Sequence, residues 1–158
     1  MNFFSRLTGK KNVVRVQAPC RGTYMPMEQI PDQVFSQGIL GPCCGIQPQE
    51  GEVCAPVSGK IIDVADTLHA FCIESEGAEL LVHLGIDTVA LKGECFTLLA
   101  EKDSVVRAGD PVMRMDIAAV RAAGLDPVII LAVTNPDDLG EIRFSRDPEC
   151  IIEINKEK

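Results

Sequence analysis

From residue 13 onward, short runs of Val and Ile alternate with Gly, Pro and Asp, the texture of an all-β sandwich or barrel. The runs are Val13 to Val16, Val53 to Val64, Ala70 to Ile73, Leu80 to Leu84, Val105-Val106, Val112 to Met115, Val128 to Val133 and Ile151 to Ile154. The segments between them are too short for the helical crossovers that parallel strands need. One helix is predicted, with Asp116 as its cap, Ile117, Val120 and Arg121 at helical spacing, and Gly124 at its end. Asp126-Pro127 then starts a strand, and Thr134 to Leu139 reads as a turn or a single capped helical turn. Ala18-Pro19-Cys20-Arg21-Gly22 recurs as Ala55-Pro56-Val57-Ser58-Gly59, each before a β-like stretch. With the turn from Val106 to Val112, this echo predicts two similar β-halves folded over each other. No linker marks a second domain, so residues 13–158 are expected to form one domain behind a tail of residues 1–12.

The tail carries Phe3, Phe4 and Leu7 beside Arg6, Lys10 and Lys11, a composition suited to weak contact with an anionic lipid surface. One such turn binds membranes poorly, so a frayed start is the favoured reading. The tail lacks the apolar core of a signal peptide, and no run approaches the ~20 residues of a membrane span. These features predict a cytoplasmic protein with reduced cysteines, and the odd count of seven argues against a complete disulfide framework. The formal charge is −8, and aromatic residues make up 4% of the chain. An acidic surface with few stacking platforms excludes a general nucleic-acid role and favours a basic protein partner.

The most informative stretch runs from Thr67 to Asp87. Ser75-Glu76-Gly77 is predicted to form a three-residue hairpin loop with Gly77 in the left-handed position. That closure pairs Glu74 with Ala78, Ile73 with Glu79, Phe71 with Leu81, and His69 with His83. The two histidines, the only ones in the chain, would then share a face as direct cross-strand neighbours. Ala70, Cys72, Leu80 and Val82 would lie on the opposite, core-facing side. Three readings stay open at this point: two ordinary half-buried histidines, a metal site, and a phosphoryl carrier. A catalytic zinc normally takes three protein ligands, so Asp or Glu would have to complete it. A neutral imidazole can attack phosphorus directly, while the second ring bonds the phosphoryl oxygens. Thr67 is placed to fix the tautomer of His69, and Gly85 to leave room for a partner's backbone. The chain lacks the H-E-x-x-H, C-x-x-C, P-loop, Rossmann and nucleophile-elbow motifs, which removes the commonest enzyme readings.

His69-Ala-Phe-Cys-Ile-Glu-Ser75 and Leu81-Val-His83-Leu-Gly-Ile-Asp-Thr-Val-Ala-Leu-Lys-Gly-Glu94 resemble the glucose-family enzyme IIA of the bacterial phosphoenolpyruvate-dependent sugar phosphotransferase system. Ala55-Pro-Val-Ser-Gly59, Val106-Arg-Ala-Gly-Asp110 and the region of Asn135 to Asp138 extend the resemblance to nearly the whole chain. It implies a flattened antiparallel β-sandwich with a duplicated hybrid motif and one or two short helices. It also implies that His83 accepts a phosphoryl group from the histidine-containing phosphocarrier protein and passes it to a cysteine of a IIB domain. His69 is then the supporting histidine, and Thr67 orients it. Asp32 and Asp87 match acidic residues flanking the active-site depression, and Val34 and Phe35 match part of its apolar rim. No cofactor or metal is required, although an incidental zinc on His69 and His83 is compatible with the pair. The alternative that the resemblance implies is a regulatory module, binding permeases or metabolic enzymes according to its phosphorylation state.

The chain departs from the family pattern at Gly38-Ile-Leu-Gly-Pro-Cys-Cys-Gly45, where a different loop shape is expected, and at Ala65 and Leu81, where some relatives carry Phe. A carrier of the lipoyl type is excluded by the lack of its Met-Lys hairpin. Cys43-Cys44 is read as neither a disulfide nor a metal clip, because adjacent cysteines rarely meet the separation a relaxed bridge needs. The basic start at Met1 is read as that of a free-standing protein.

Overall fold

The computed structural model describes residues 12–158, so the predicted tail, apart from Asn12, falls outside the described residues. Among the described residues, thirteen strands build three open antiparallel sheets. The largest has seven strands, in the order β2 (Gly22–Pro26), β3 (Cys43–Pro48), β11 (Ile129–Val133), β7 (Ala78–Leu84), β6 (Ala70–Ser75), β5 (Gly59–Val64), β9 (Val105–Val106). A second sheet joins β4 (Glu52–Cys54), β10 (Pro111–Met115) and β8 (Phe96–Leu98), and a third joins β1 (Val13–Val16), β13 (Ile152–Asn155) and β12 (Ile142–Phe144). The main core unites Val14 and Val16 of β1, Val53 of β4, Phe71 and Ile73 of β6, Leu80, Val82 and Leu84 of β7, and Met113 of β10. The architecture is all-β, as the alternating runs predict, and is the antiparallel sandwich that the resemblance implies.

The predicted run Val53 to Val64 is broken into β4 and β5 by the Ala55-Pro56 turn. Strands β2, β3, β8 and β12 carry weak patterns and were not anticipated. Helix α2 (Ile117–Ala122) lies where its signals place it, with the Asp116 carboxylate accepting from Ala119 N at 3.0 Å and Gly124 at φ +82° beyond its end. A short helix α1 (Gln33–Ser36) was not predicted.

The two Ala-Pro motifs face each other across a local two-fold arrangement. Gln17 N donates to Pro56 O at 2.9 Å, and Cys54 N donates to Pro19 O at 2.7 Å, the same bond made once by each copy. Each motif ends in a glycine that opens a hairpin, β2 onto β3 and β5 onto β6. A Cβ on Gly22 would lie 1.9 Å from Gln47 O, and one on Gly59 would lie 2.1 Å from Glu74 O. The recurrence of glycine therefore follows from close backbone approach.

Strand β11 is buried on both faces, which is why its sequence is an unbroken apolar run. Ile129, Leu131 and Val133 enter the main core, whereas Val128, Ile130 and Ala132 enter a smaller cluster on the other face of the sheet. That cluster also holds Ile30, Phe35, Cys43 and Ile86. Cys43 and Cys44 point to opposite faces of β3, as adjacent strand residues must. All seven thiols are free. Burial pushes Cys43 up to about 11 and Cys20 up to about 12, so both are thiols at neutral pH.

Candidate functional site

The small cluster on the outer face of the large sheet positions the site. His83 lies on β7, paired on one side with Ala70 of β6 and on the other with Ile130 of β11. Its Nδ1 donates to the Gly85 carbonyl at 2.7 Å. A carbonyl oxygen only accepts, so the neutral ring carries its proton on Nδ1 and keeps the lone pair on Nε2. Gly85 has φ +82°, and a Cβ there would lie 2.5 Å from Thr88 Cγ2 and 3.0 Å from Asp126 O. This glycine is needed for the turn that brings its own carbonyl back to the ring. Thr88 seals the turn from below, fully buried, with its hydroxyl donating to Leu84 O at 2.6 Å.

His69 reaches the same place by a different route from the one its spacing suggests. The hairpin closes through a two-residue loop, Glu76-Gly77, with φ values of +51° and +90°, and Ser75 pairs with Ala78. Two consecutive positive φ angles mark the primed turn whose twist matches the strands it joins. The register is therefore one residue away from that expected, and Ala70, not His69, stands opposite His83. Ala70 and Cys72 share the outer face with His83, and the core side carries Phe71 and Ile73 with Leu80 and Val82. His69 lies just before β6, in a bend after the left-handed Leu68 (φ +57°), and its carbonyl accepts from Leu84 N at 2.7 Å. Leaving the strand frees its side chain from the alternation that would send it to the core face. The two imidazoles meet edge to face, with ring centroids 5.1 Å apart and planes at 77°. Thr67 Oγ1 lies 2.5 Å from His69 Nδ1, which leaves Nε2 as the uncommitted nitrogen of that ring also.

Phe35 walls the His83 ring on another side, with centroids 5.0 Å apart. It is buried, and its amide donates to the Asp32 carboxylate that caps α1 at 3.2 Å. Asp32 is thus both the cap that sets Phe35 in place and a negative charge acting on His83; Asp87 is a second such charge, at the left-handed residue (φ +61°) before the turn Thr88–Leu91. Val34 on α1 is 41% exposed, and Ile39, Leu40 and Val89 are further exposed apolar residues on the segments following α1 and Asp87. Leu81 packs on the small cluster. Burial lowers the pKa of both histidines below the usual imidazole value. At His83 the Gly85 hydrogen bond and the charges of Asp32 and Asp87 oppose that fall, while His69 adds to it. No group of three or more His, Cys, Asp or Glu among the described residues is arranged to hold a metal. The geometry is that of two imidazoles edge to face, each with its Nδ1 committed and its Nε2 uncommitted, with Phe35 against the His83 ring.

The family model described as phosphoenolpyruvate-dependent sugar phosphotransferase system, EIIA 1, matches residues 14–139. The chain belongs to the EIIA 1 family. Among its relatives is a glucose-specific EIIA component of Staphylococcus epidermidis, 37% identical over 155 residues, covering 94% of this chain and 92% of the relative. A beta-glucoside-specific EIIBCA component of Bacillus subtilis is 39% identical over 123 residues, which cover 77% of this chain and 20% of that longer protein. The solved glucose permease IIA from Mycoplasma capricolum superposes with a TM-score of 0.77 at 30% identity, over 97% of this chain and 99% of the other. Membership makes this EIIA chain a phosphoryl carrier component of the sugar phosphotransferase system. Among the described residues, no helix of this EIIA chain is long and apolar enough to cross a membrane. The bond from His83 to Gly85 O has one local signal in the sequence, a glycine two residues after His83.

Proposed function

We propose that His83 is the phosphoryl acceptor of this EIIA chain, that a histidine phosphocarrier is its donor, and that a cysteine of a IIB domain is its acceptor. The observation that carries this reading is the hydrogen bond from His83 Nδ1 to Gly85 O, which leaves the Nε2 lone pair free. The lone pair attacks phosphorus, the phosphorus–nitrogen bond of the donor phosphohistidine breaks, and its electron pair returns to the donor ring. The His83 Nδ1–H stays on the Gly85 carbonyl while the ring loses electron density. In the second transfer a IIB thiolate attacks the same phosphorus, and the His83 nitrogen leaves with its electron pair.

His69 supports both steps. With the Thr67 hydroxyl donating to its Nδ1, its proton resides on Nε2, where it donates to a phosphoryl oxygen. The rim excludes water while partners dock, and Asp32 and Asp87 meet basic residues of the phosphocarrier. Residues 13–158 act as one domain in this role, in the cytoplasm. Relatives named for glucose and for beta-glucoside are about equally similar to the chain, so identity alone does not choose the sugar.

Incubation with phosphoenolpyruvate, enzyme I and the phosphocarrier is expected to give an acid-labile, base-stable label that His83→Ala abolishes. His69→Gln is expected to accept the label and fail to pass it to IIB. Label surviving in His83→Ala would overturn the assignment of the acceptor, and normal sugar phosphorylation by His69→Gln would overturn the role of the second ring.

A further inference from the structure

The carbonyl that holds His83 belongs to the peptide unit between Gly85 and Ile86. In a trans peptide the C=O and the N–H point in opposite directions from one rigid plane. The N–H of that plane, on Ile86, donates to Asp126 O at 2.9 Å, and the preceding N–H, on Gly85, donates to Val128 O at 2.9 Å. The plane is therefore clamped between the His83 ring on one side and the segment 126–128 on the other. That segment is itself tied by one carboxylate oxygen. Asp126 Oδ1 accepts from Val128 N at 2.9 Å and from Gln47 Nε2, on β3, at 2.8 Å. One acceptor thus closes the 126–128 turn on itself and anchors it to a strand two places away from β7 in the sheet.

We propose that Asp126, braced by Gln47, is a positioning residue for the phosphoryl acceptor: it fixes the Gly85–Ile86 peptide plane and through it the tautomer and aim of His83. The inference rests on His83 being the acceptor. Asp126 does not touch the reacting atoms, and its influence runs through four successive hydrogen bonds, from Gln47 and Val128 N to Oδ1, from Ile86 N to Asp126 O, and from His83 Nδ1 to Gly85 O. Loss of the carboxylate leaves the Asp126 carbonyl in the chain but releases its direction. The peptide plane is then free to rotate, and the Nδ1–H form of His83 loses its preference.

The test combines nitrogen NMR of the His83 ring in the free protein with steady-state phosphorylation by the phosphocarrier. In the wild type the ring is expected in the Nδ1–H form. Asp126→Ala is expected to add a population of the Nε2–H form and to lower kcat about tenfold, the effect of one aligning hydrogen bond, with KM for the phosphocarrier held within about twofold. Asp126→Asn keeps an amide oxygen able to accept both N–H groups and is expected to restore the tautomer and most of kcat. If Asp126→Ala does not fold, Gln47→Ala carries the test, with the same direction and a smaller fall. A folded Asp126→Ala protein with wild-type tautomer and kcat would overturn the proposal, as would a rise in KM at unchanged kcat. If wild-type protein takes no phosphate on His83, the acceptor assignment fails by itself. The tautomer measurement in the free protein still decides whether Asp126 orients the ring.

Discussion

Replacing Gly85 with Ala separates backbone strain from steric overlap at the residue whose carbonyl holds the His83 ring. Gly85 and Gly124 have the same φ, +82°, but a Cβ on Gly124 meets nothing within 4 Å, whereas one on Gly85 meets Thr88 Cγ2 at 2.5 Å and Asp126 O at 3.0 Å. The left-handed region costs an L-residue about 1–2 kcal/mol, and Ala recovers about 0.4–1 kcal/mol through a less free unfolded chain. Gly124→Ala should therefore lose about 1 kcal/mol. Gly85→Ala adds an overlap. Carbon contacts settle near ~3.5–4.0 Å, so the Thr88 methyl must withdraw by about 1 Å. Thr88 is fully buried and its hydroxyl is tied to Leu84 O. Such overpacking costs about 1–3 kcal/mol, for a total near 2–4 kcal/mol. Against a typical stability of roughly 5–15 kcal/mol, the variant stays folded and measurable. The Gly85 carbonyl also leaves His83 Nδ1, and phosphorylation should slow about tenfold. Urea unfolding of the wild type and both variants, with initial phosphorylation rates, provides the comparison. Equal destabilisation by Gly85→Ala and Gly124→Ala, or an unchanged rate in Gly85→Ala, would refute the reasoning.

Thr67→Val keeps the branched shape but removes the hydroxyl at His69 Nδ1, and is expected to slow donation to IIB about tenfold at little cost in stability; unchanged donation would show that the hydroxyl does not orient the ring. Gly22→Ala and Gly59→Ala each drive a Cβ to within about 2 Å of a backbone carbonyl and should each cost about 3 kcal/mol or more; denaturant melts showing either variant near wild-type stability would contradict the matched close approach. Both histidines sit below their ordinary pKa because burial disfavours the charged ring, so between the lowered values and about 6.5 the unfolded chain holds more protons than the folded one. Their contribution to stability is complete above that range and falls as pH drops through it. A His69→Gln, His83→Gln double variant should show a shallower loss of stability from pH 7 to pH 5 than the wild type, and identical slopes would be the negative result. The same lowering keeps His83, the proposed acceptor, neutral in mild acid, so the acid limb of the phosphorylation rate should lie below pH 6.5.

The strands buried on one face and the doubly buried β11 were legible because their patterns report burial directly. Helix α2 was legible from its cap and its closing glycine. The stretches His69 to Ser75 and Leu81 to Glu94 were legible enough to indicate the family and to single out both histidines. Strands β2 and β3 were not, since Gly22, Pro26, Gly45 and Pro48 interrupt any pattern, and their pairing depends on residues distant in the chain. Helix α1 is a single turn; its Asp32 cap is local, but four residues show no helical periodicity, and the packing of Phe35 on the small cluster depends on distant strands.

What the amino-acid sequence determined alone was the family, the pair of histidines and the unbroken apolar run of β11. How the two imidazoles meet was decided by tertiary structure. Turn residues 75–77 permit either a three-residue or a two-residue loop, and a one-residue difference moves every partner across the sheet. The primed two-residue turn prevails while core packing holds Phe71 and Ile73 on the same side as Leu80 and Val82, and Asn135 ties the hairpin tip by donating to Gly77 O and accepting from Glu79 N. In that register His69 no longer pairs with His83. Only the left-handed Leu68 and the bend it begins return the ring to its partner, a consequence of three-dimensional packing that no periodicity encodes.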